Sequence, residues 1–342
     1  MRSIITAATL LYAASAVAQS PVIQPQSTEA KPNDGHVLIT KMLEHAGRNN
    51  YEGTFVFMHN GRLDSMRIVH GVVDGVVKER LTSLSGEPRE VVRDDETVTC
   101  VWPMRKLVTV DPSSANHGIP SIVPKELESL TKNYTVIPGP ISRNAQLDCK
   151  VLAIKPVDQF RYGYELCIEP ESGMLLRSKM IHPSEMKVLE EVMFTSVKFL
   201  DSVDHVNFHP ENDIENFTWS RSRRMGESDV SGQDSDKSWK VSKLPPGFSV
   251  SKISQRLMST SDEPVHHMVV TDGVASVSVF IIKPRNLGRM FEGLSRRGSI
   301  NAFSRGIDDH QITVLGEVPN ETVQMIGSSI VHDQPQIKMG EQ

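Results

Sequence analysis

The sequence predicts an α+β fold, mainly antiparallel β, arranged as two domains. Three observations lead there. The hydrophobic period changes from helical to two-residue near Tyr51, turn dipeptides recur through the segment that follows, and a polar stretch separates two strand-rich regions. With 342 residues, the chain exceeds the usual size of a single domain.

From Asp34 the pattern is helical, with Leu38, Met42 and Ala46 in one row and Ile39 and Leu43 in the next. Asp34 suits the N-cap, and Gly47 followed by Asn49-Asn50 suits the end. Between Tyr51 and about Asp111 the chain reads as an antiparallel meander, punctuated by Asn60-Gly61, Asp74-Gly75, Ser85-Gly86 and Asp94-Asp95. Phe55 and Phe57 share a strand face, as do Met66 and Ile68, Val77 and Leu81, and Val98, Cys100 and Trp102. An apolar sheet face needs cover, and the helix from Asp34 is the nearby candidate. Pro124 fits the start of a short helix carrying Leu127 and Leu130, after which strands resume at Tyr134, Leu147, Tyr162, Leu175 and Val188. Residues 220–237 are almost devoid of apolar side chains and are expected to be the linker.

The second domain is expected over 238–333, with a tail over 334–342. Leu244-Pro245-Pro246-Gly247-Phe248 interrupts its first strands, Asp272-Gly273 makes a tight hairpin, and Ile312 to Leu315 is a further strand. Asn320 suits the cap of a closing helix with Val323, Ile326 and Ile330 on one face.

At the N-terminus, Arg2, the apolar run Ile4 to Ala14 and Ala16-Val17-Ala18 have the form of an export signal over 1–18, cleaved after Ala18. The apolar run is shorter than the ~20 residues that span a bilayer. Residues 19–33 read as a disordered leader, and the large domain is expected over 34–219.

The 37 basic and 42 acidic residues give a net charge of -5, and no long basic stretch is interleaved with aromatics, which argues against a nucleic-acid partner. The sequence has no phosphate-binding glycine loop, no G-x-S-x-G elbow and no paired metal-ligand spacing. No catalytic residue, metal site or cofactor is therefore assigned. His266 and His267 are consecutive in an expected strand and point to opposite faces, so they do not share an ion.

Cys149 and Cys167 are equidistant from Asp158, where Pro156-Val157-Asp158-Gln159 offers a turn. Two antiparallel strands about that centre bring the sulfurs within disulfide reach, the alternative being two separate thiols. Cys100 is then the buried spare beside Trp102. In the hairpin at Asp272-Gly273, a two-residue turn sets Val270, Met268 and His266 against Ala275, Val277 and Val279. The opposite face carries Val265, His267, Val269, Phe280 and Ile282 beside Ser276 and Ser278. Of these, His267, Val269, Phe280 and Ile282 are the candidates for an interface, to be covered either by a partner or by the rest of the chain.

The runs Tyr51-Glu52-Gly53-Thr54-Phe55-Val56-Phe57, Ser65-Met66-Arg67-Ile68-Val69-His70 and Gly86-Glu87-Pro88-Arg89-Glu90-Val91 resemble the RseB/MucB family. So do Arg161-Tyr162-Gly163-Tyr164-Glu165-Leu166, Val277-Ser278-Val279-Phe280 and Gly316-Glu317-Val318-Pro319. The resemblance covers both expected domains. It implies periplasmic negative regulation of sigma-E, with a large domain folded as an open half-barrel like LolA and LolB and plugged by helices. It further implies a small domain that contributes strongly to binding the periplasmic part of a membrane-spanning anti-sigma factor of the RseA/MucA type. Binding protects that factor from the first regulatory protease, and a lipid, chiefly the acylated part of lipopolysaccharide, releases it.

On such a fold Phe55, Phe57, Met66, Ile68, Val98 and Trp102 form a candidate lipid groove, each buried methylene contributing about 0.8 kcal/mol. The alternative is an ordinary core under the first helix. A disulfide between Cys149 and Cys167 would be peculiar to this branch, because apolar or aromatic residues are expected there in relatives. A lipid or lipoprotein carrier and an exported hydrolase with a dispersed triad are the rival readings, and a homo-oligomer is compatible with both domains.

Overall fold

The computed structural model describes residues 34–45, 47–94, 96–112, 127–211, 213–221, 238–256, 264–284 and 291–333. The expected signal, leader and tail, with Ala46, Asp95, Pro124 and linker residues 222–237, lie outside the described residues.

Helix α1 (Asp34–His45) leads into β1 (Tyr51–His59), β2 (Arg62–Val73), β3 (Val76–Ser83), β4 (Glu90–Arg93), β5 (Thr97–Trp102) and β6 (Leu107–Pro112). Helix α2 (Leu127–Asn133) precedes β7 (Tyr134–Asn144), β8 (Leu147–Pro156), β9 (Gly163–Ile168), β10 (Leu175–Ile181), β11 (Val188–Phe199) and β12 (Thr218–Arg221). These twelve strands form one open sheet in the order β12-β6-β5-β4-β3-β2-β1-β11-β10-β9-β8-β7, so its two edges are not paired to each other. All pairings are antiparallel except β12 with β6, which is parallel. The last of these strands extends to Arg221, two residues into the stretch expected to be linker.

Turn chemistry explains the early hairpins. Asn60 and Gly61 both have positive φ (51° and 72°), as do Asp74 and Gly75 (53° and 79°), the backbone of tight primed turns whose twist matches the strands. A similar turn at Ala145 and Gln146 (48° and 67°) carries no such residues and left no signal in the sequence.

The first helix does not cover the meander. Its Leu38, Ile39 and Met42 pack with Leu152, Ile154, Tyr164 and Leu166 of β8 and β9, and with Leu130 of α2. It is held there by Gly173, whose missing side chain admits the Lys41 backbone: a Cβ would lie 2.8 Å from the Lys41 carbonyl oxygen. The meander is buried on both faces: Phe55, Met66, Ile68 and Leu81 pack with Leu176, Val192 and Phe194 on one, and on the other Val69, Val73 and Phe208 cluster with Val92 and Val203. The 3₁₀ turn His205–Phe208 supplies that cover, and Arg67 and Arg80 tie it down through Glu211.

The remaining strands are β13 (Trp239–Val241), β14 (Ser249–Arg256), β15 (Val265–Thr271), β16 (Ser276–Ile282), β17 (Gly293–Arg297), β18 (Ile300–Ile307), β19 (His310–Gly316) and β20 (Ile330–His332). Six form a second antiparallel sheet, ordered β14-β15-β16-β19-β18-β17, while β13 pairs with β20. Helix α3 (Asn320–Ser328) lays Val323 and Ile326 on Val270, Val277, Val279, Ile312 and Val314.

Three local expectations are corrected here. Pro319 is the cap and Asn320 the first helical residue. Ile330 is buried as expected but belongs to β20, not to the helix. The β15–β16 register sets Val270 opposite Val277 and not Ala275. Its cause is Asp272, whose Oδ1 accepts the N–H groups of Val274 (2.9 Å) and Ala275 (2.7 Å), drawing four residues into the turn. A two-residue shift leaves each side chain on its expected face.

Candidate binding surfaces

The registers place all six groove candidates on one face of the large sheet. Phe55 lies opposite Met66, Ile68 opposite Leu81, Leu81 opposite Val91, and Val91 opposite Cys100, with Val98 and Trp102 two residues to either side. Their environments differ along it. Phe55, Met66 and Ile68 are buried in a cluster with Leu176, Val192 and Phe194; Phe57, further along β1, is half-buried against the same cluster, and Val98 and Trp102 are half-buried on β5. Three of the six are thus core, and three are partly exposed.

On β5 the Trp102 ring is approached by two guanidinium groups, Arg89 at 5.3 Å and Arg105 at 5.0 Å from its centroid. Arg105 is also held by both oxygens of Glu87, at 2.8 and 2.7 Å. Cys100 is a free, half-buried thiol and not the buried spare expected, because the deep packing on β5 is on the opposite face, at Val101. Burial raises the Cys100 thiol above its ordinary value, with a Thr109 hydrogen bond and the Arg89 charge opposing.

Cys149 and Cys167 are joined by a disulfide with a Cα separation of 5.3 Å, and both are fully buried in the Phe55 cluster. The bridge runs diagonally: Val151 is the residue opposite Cys167. Asp158 Oδ1 accepts the Phe160 N–H (2.9 Å), and the connection centres beyond Asp158.

On the second sheet, His267 lies opposite Phe280 and stacks on it at 4.4 Å with ring planes 2° apart. Its Nε2 is 3.1 Å from Ser278 Oγ. Val269 and Ile282 share that face, and all four interface candidates are half-buried, whereas Val265 is buried.

The polar contacts joining the large sheet to the second one came as no expectation. Arg161, fully buried, places Nε 2.8 Å from Asp272 Oδ2, NH1 3.1 Å from Asp158 Oδ2, and donates from NH2 to the Pro246 carbonyl at 2.6 Å. The Nε contact is Coulombic, the N–H not being aligned on the carboxylate. Around it, Asn133 donates to the Asp272 carbonyl (3.2 Å), Tyr162 to the Ser299 carbonyl (3.0 Å) and Thr322 to the Phe160 carbonyl (2.6 Å). The guanidinium also lies over the Phe248 ring, 5.0 Å from its centroid. The run Arg161-Tyr162-Gly163-Tyr164 was visible as a shared motif; its role as a joint was not.

An open antiparallel sheet with a half-exposed aromatic and cationic rim, joined through buried polar contacts to a sheet-and-helix domain, defines a two-part binding protein. Family models for the MucB/RseB N-terminal domain and the MucB/RseB C-terminal domain match residues 34–212 and 233–331 respectively. The chain belongs to the MucB/RseB family.

Among its relatives, the sigma factor AlgU regulatory protein MucB of Pseudomonas aeruginosa is 29% identical over 312 residues, covering 85% of this chain and 89% of that protein. The sigma-E factor regulatory proteins RseB of Haemophilus influenzae (26%) and Escherichia coli (24%) cover 84% and 94% of this chain, and 88% and 97% of their own lengths. Of the solved structures, the complex of Pseudomonas aeruginosa MucA and MucB aligns with a TM-score of 0.67 at 26% identity, over 88% of this chain and all (100%) of that one. MucB alone aligns with a TM-score of 0.59 at 26% identity, over 87% of this chain and 97% of the other.

Proposed function

We propose that this chain is a periplasmic regulator of an envelope-stress sigma factor. It binds the periplasmic part of a MucA-type anti-sigma factor, protects it from regulated proteolysis, and is released by a lipid of the lipopolysaccharide type. It works by binding and not by catalysis. The observation that carries the reading is the likeness to MucB over both sheets, since a solved relative of this architecture is a complex with periplasmic MucA. The export signal over 1–18, with cleavage after Ala18, supports the compartment. The domain limits proposed are those read from the sequence, 34–219 and 238–333, with Ser220 and Arg221 of the expected linker 220–237 added to the large sheet as the end of β12.

His267, Val269, Phe280 and Ile282 are the proposed partner contacts, and the half-buried Phe57, Val98 and Trp102 the proposed lipid contacts, with Phe55, Met66 and Ile68 as the floor behind them. A lipid shifts the regulator only by binding the released state more tightly than the partner-bound one.

The test uses the purified mature chain and the periplasmic segment of the anti-sigma factor from the same organism, with and without lipopolysaccharide. Binding that weakens with lipid, and that falls in Phe280→Asp, is expected. No binding of the segment refutes the partner assignment, and binding unmoved by lipid refutes the sensing part. Point variants are preferable to removing the second domain, since truncation would leave Arg161 without Asp272 and Pro246.

A further inference from the structure

Two carboxylates, one from the large sheet and one from the second domain, meet on a single hydroxyl. Ser299, buried in the turn between β17 and β18, donates from Oγ to Glu190 Oε1 of β11 at 2.6 Å. Glu317 Oε1, just after β19, lies 3.5 Å from the same oxygen. The two carboxylates therefore stand within about 6 Å of each other across the joint, a separation at which like charges repel.

The serine is held from both sides. Its carbonyl accepts the Tyr162 hydroxyl (3.0 Å), whose oxygen accepts from Asn301 Nδ2 (2.9 Å), and Asn301 also donates to the Val318 carbonyl (2.7 Å). Next to it, Gly298 (φ 69°) sits against the β1–β2 turn, where a Cβ would lie 2.2 Å from Asn60 Oδ1. The hydroxyl is thus presented at a fixed place between the two domains.

The surrounding charges leave the opposition standing. Neither Glu190 nor Glu317 makes an ion pair among the described residues. His59 lies opposite Glu190 on β1 and is paired with Asp64. Tyr162 and Tyr164 face the pair from the start of β9, His182 lies against the Tyr162 ring at 5.8 Å, and Asp272 acts on Tyr164. Arg296 of β17 and Glu321 of α3 act on Tyr162, and Arg296 Nε donates to the Gly298 carbonyl (2.8 Å).

A hydroxyl has one proton to give. With that proton on Glu190, Ser299 offers Glu317 only lone pairs, which repel a carboxylate and accept from a carboxylic acid. Burial, and then the Glu190 charge, raise the Glu317 carboxyl above its ordinary value; much of this side chain is exposed, so the charge is the cause that the shared hydroxyl secures. We infer that Glu317, Ser299 and Glu190 form a proton-operated latch between the two domains. One proton taken from solvent lets Glu317 donate to Ser299 while Ser299 donates to Glu190, and its loss sets two negative charges against each other. Because the Glu317 carboxyl is raised, the contribution is full below the ordinary glutamate range and is lost as the pH rises through the raised value. Mild acid tightens the joint.

The test uses the full mature chain, labelled with ¹³C at the glutamate side-chain carboxyls, and identifies the Glu317 resonance by its absence in Glu317→Gln. That resonance is expected to titrate above the ordinary glutamate range, and to move back toward it in Glu190→Gln. Urea unfolding supplies the second readout, since the amide of Glu317→Gln is uncharged and donates to Ser299 at every pH. At a pH of about 8 this variant should raise the folding equilibrium constant about tenfold, the scale of a like-charge repulsion weakened by partial solvent access. At a pH of about 5 it should change the constant less than about twofold, because Glu317 is then already protonated. In the Glu190→Gln background the gain at the higher pH should disappear. Titration of Glu317 in the ordinary range, or an equal gain at both pH values, overturns the latch. A gain that persists in Glu190→Gln also overturns it, because the effect would then lie within the second domain and not across the joint.

Discussion

Replacing Asp272 with Asn tests whether the two sheets are held together by the buried ion pair. The Oδ1 acceptor for Val274 and Ala275 survives in Asn, so the turn is kept and only the charge facing Arg161 is lost. Both side chains of the pair are fully buried, and removing one partner of such a pair typically costs about 3–5 kcal/mol. Arg161 keeps Asp158, itself 20% exposed, and the Pro246 carbonyl, which places Asp272→Asn at the lower end, about 3 kcal/mol. Arg161→Met loses both those contacts and the ring stacking, so about 4 kcal/mol is expected.

In the double variant neither charge is stranded, and its cost should fall short of the sum by about 2 kcal/mol. Urea unfolding of the full chain, followed by tryptophan fluorescence, gives the cycle. If the two domains unfold separately, the coupling appears in the first transition. Additivity within about 0.5 kcal/mol would show that Arg161 and Asp272 do not sense each other, and the reasoning fails.

Three further outcomes are expected. Unreduced, denatured protein should present a single reactive thiol, Cys100, to a labelling reagent, and Cys149→Ala with Cys167→Ala should lower stability by about 3 kcal/mol in a denaturant melt. Phe55→Ala should cost about 3–5 kcal/mol of stability, whereas Trp102→Ala, at the half-buried rim, should cost about 1 kcal/mol while weakening lipid binding. Gln146→Gly, at a φ of 67°, should raise stability by about 1 kcal/mol, measured by thermal unfolding, by relieving left-handed backbone strain.

Much of the candidate site was legible because strand alternation is local. The pairs Phe55 and Phe57, Met66 and Ile68, and Val98 and Trp102 fall on one face as their spacing required, and the registers of β1 to β5 add only that the three pairs are contiguous. The turns at Asn60-Gly61 and Asp74-Gly75 were equally local. The hairpin at Asp272 was read with its faces right and its register two residues off, because a side chain accepting two backbone N–H groups enlarges a turn without leaving a signal in hydrophobic pattern. The turn at Ala145-Gln146 was invisible for the opposite reason: neither residue favours the backbone it adopts.

By itself, the sequence determined the strand-dominated class and the alternation that places the groove and interface candidates on shared faces. Only the tertiary structure decided which faces meet. It set α1 against β8 and β9, covered the meander from its other side with Phe208, and seated Arg161 against Asp272. Hydrophobic periodicity records that a face is to be buried, because that depends on neighbours a few residues away. The partner that buries it is fixed by the packing of residues far apart in the chain, where complementary shape and charge have no local signature.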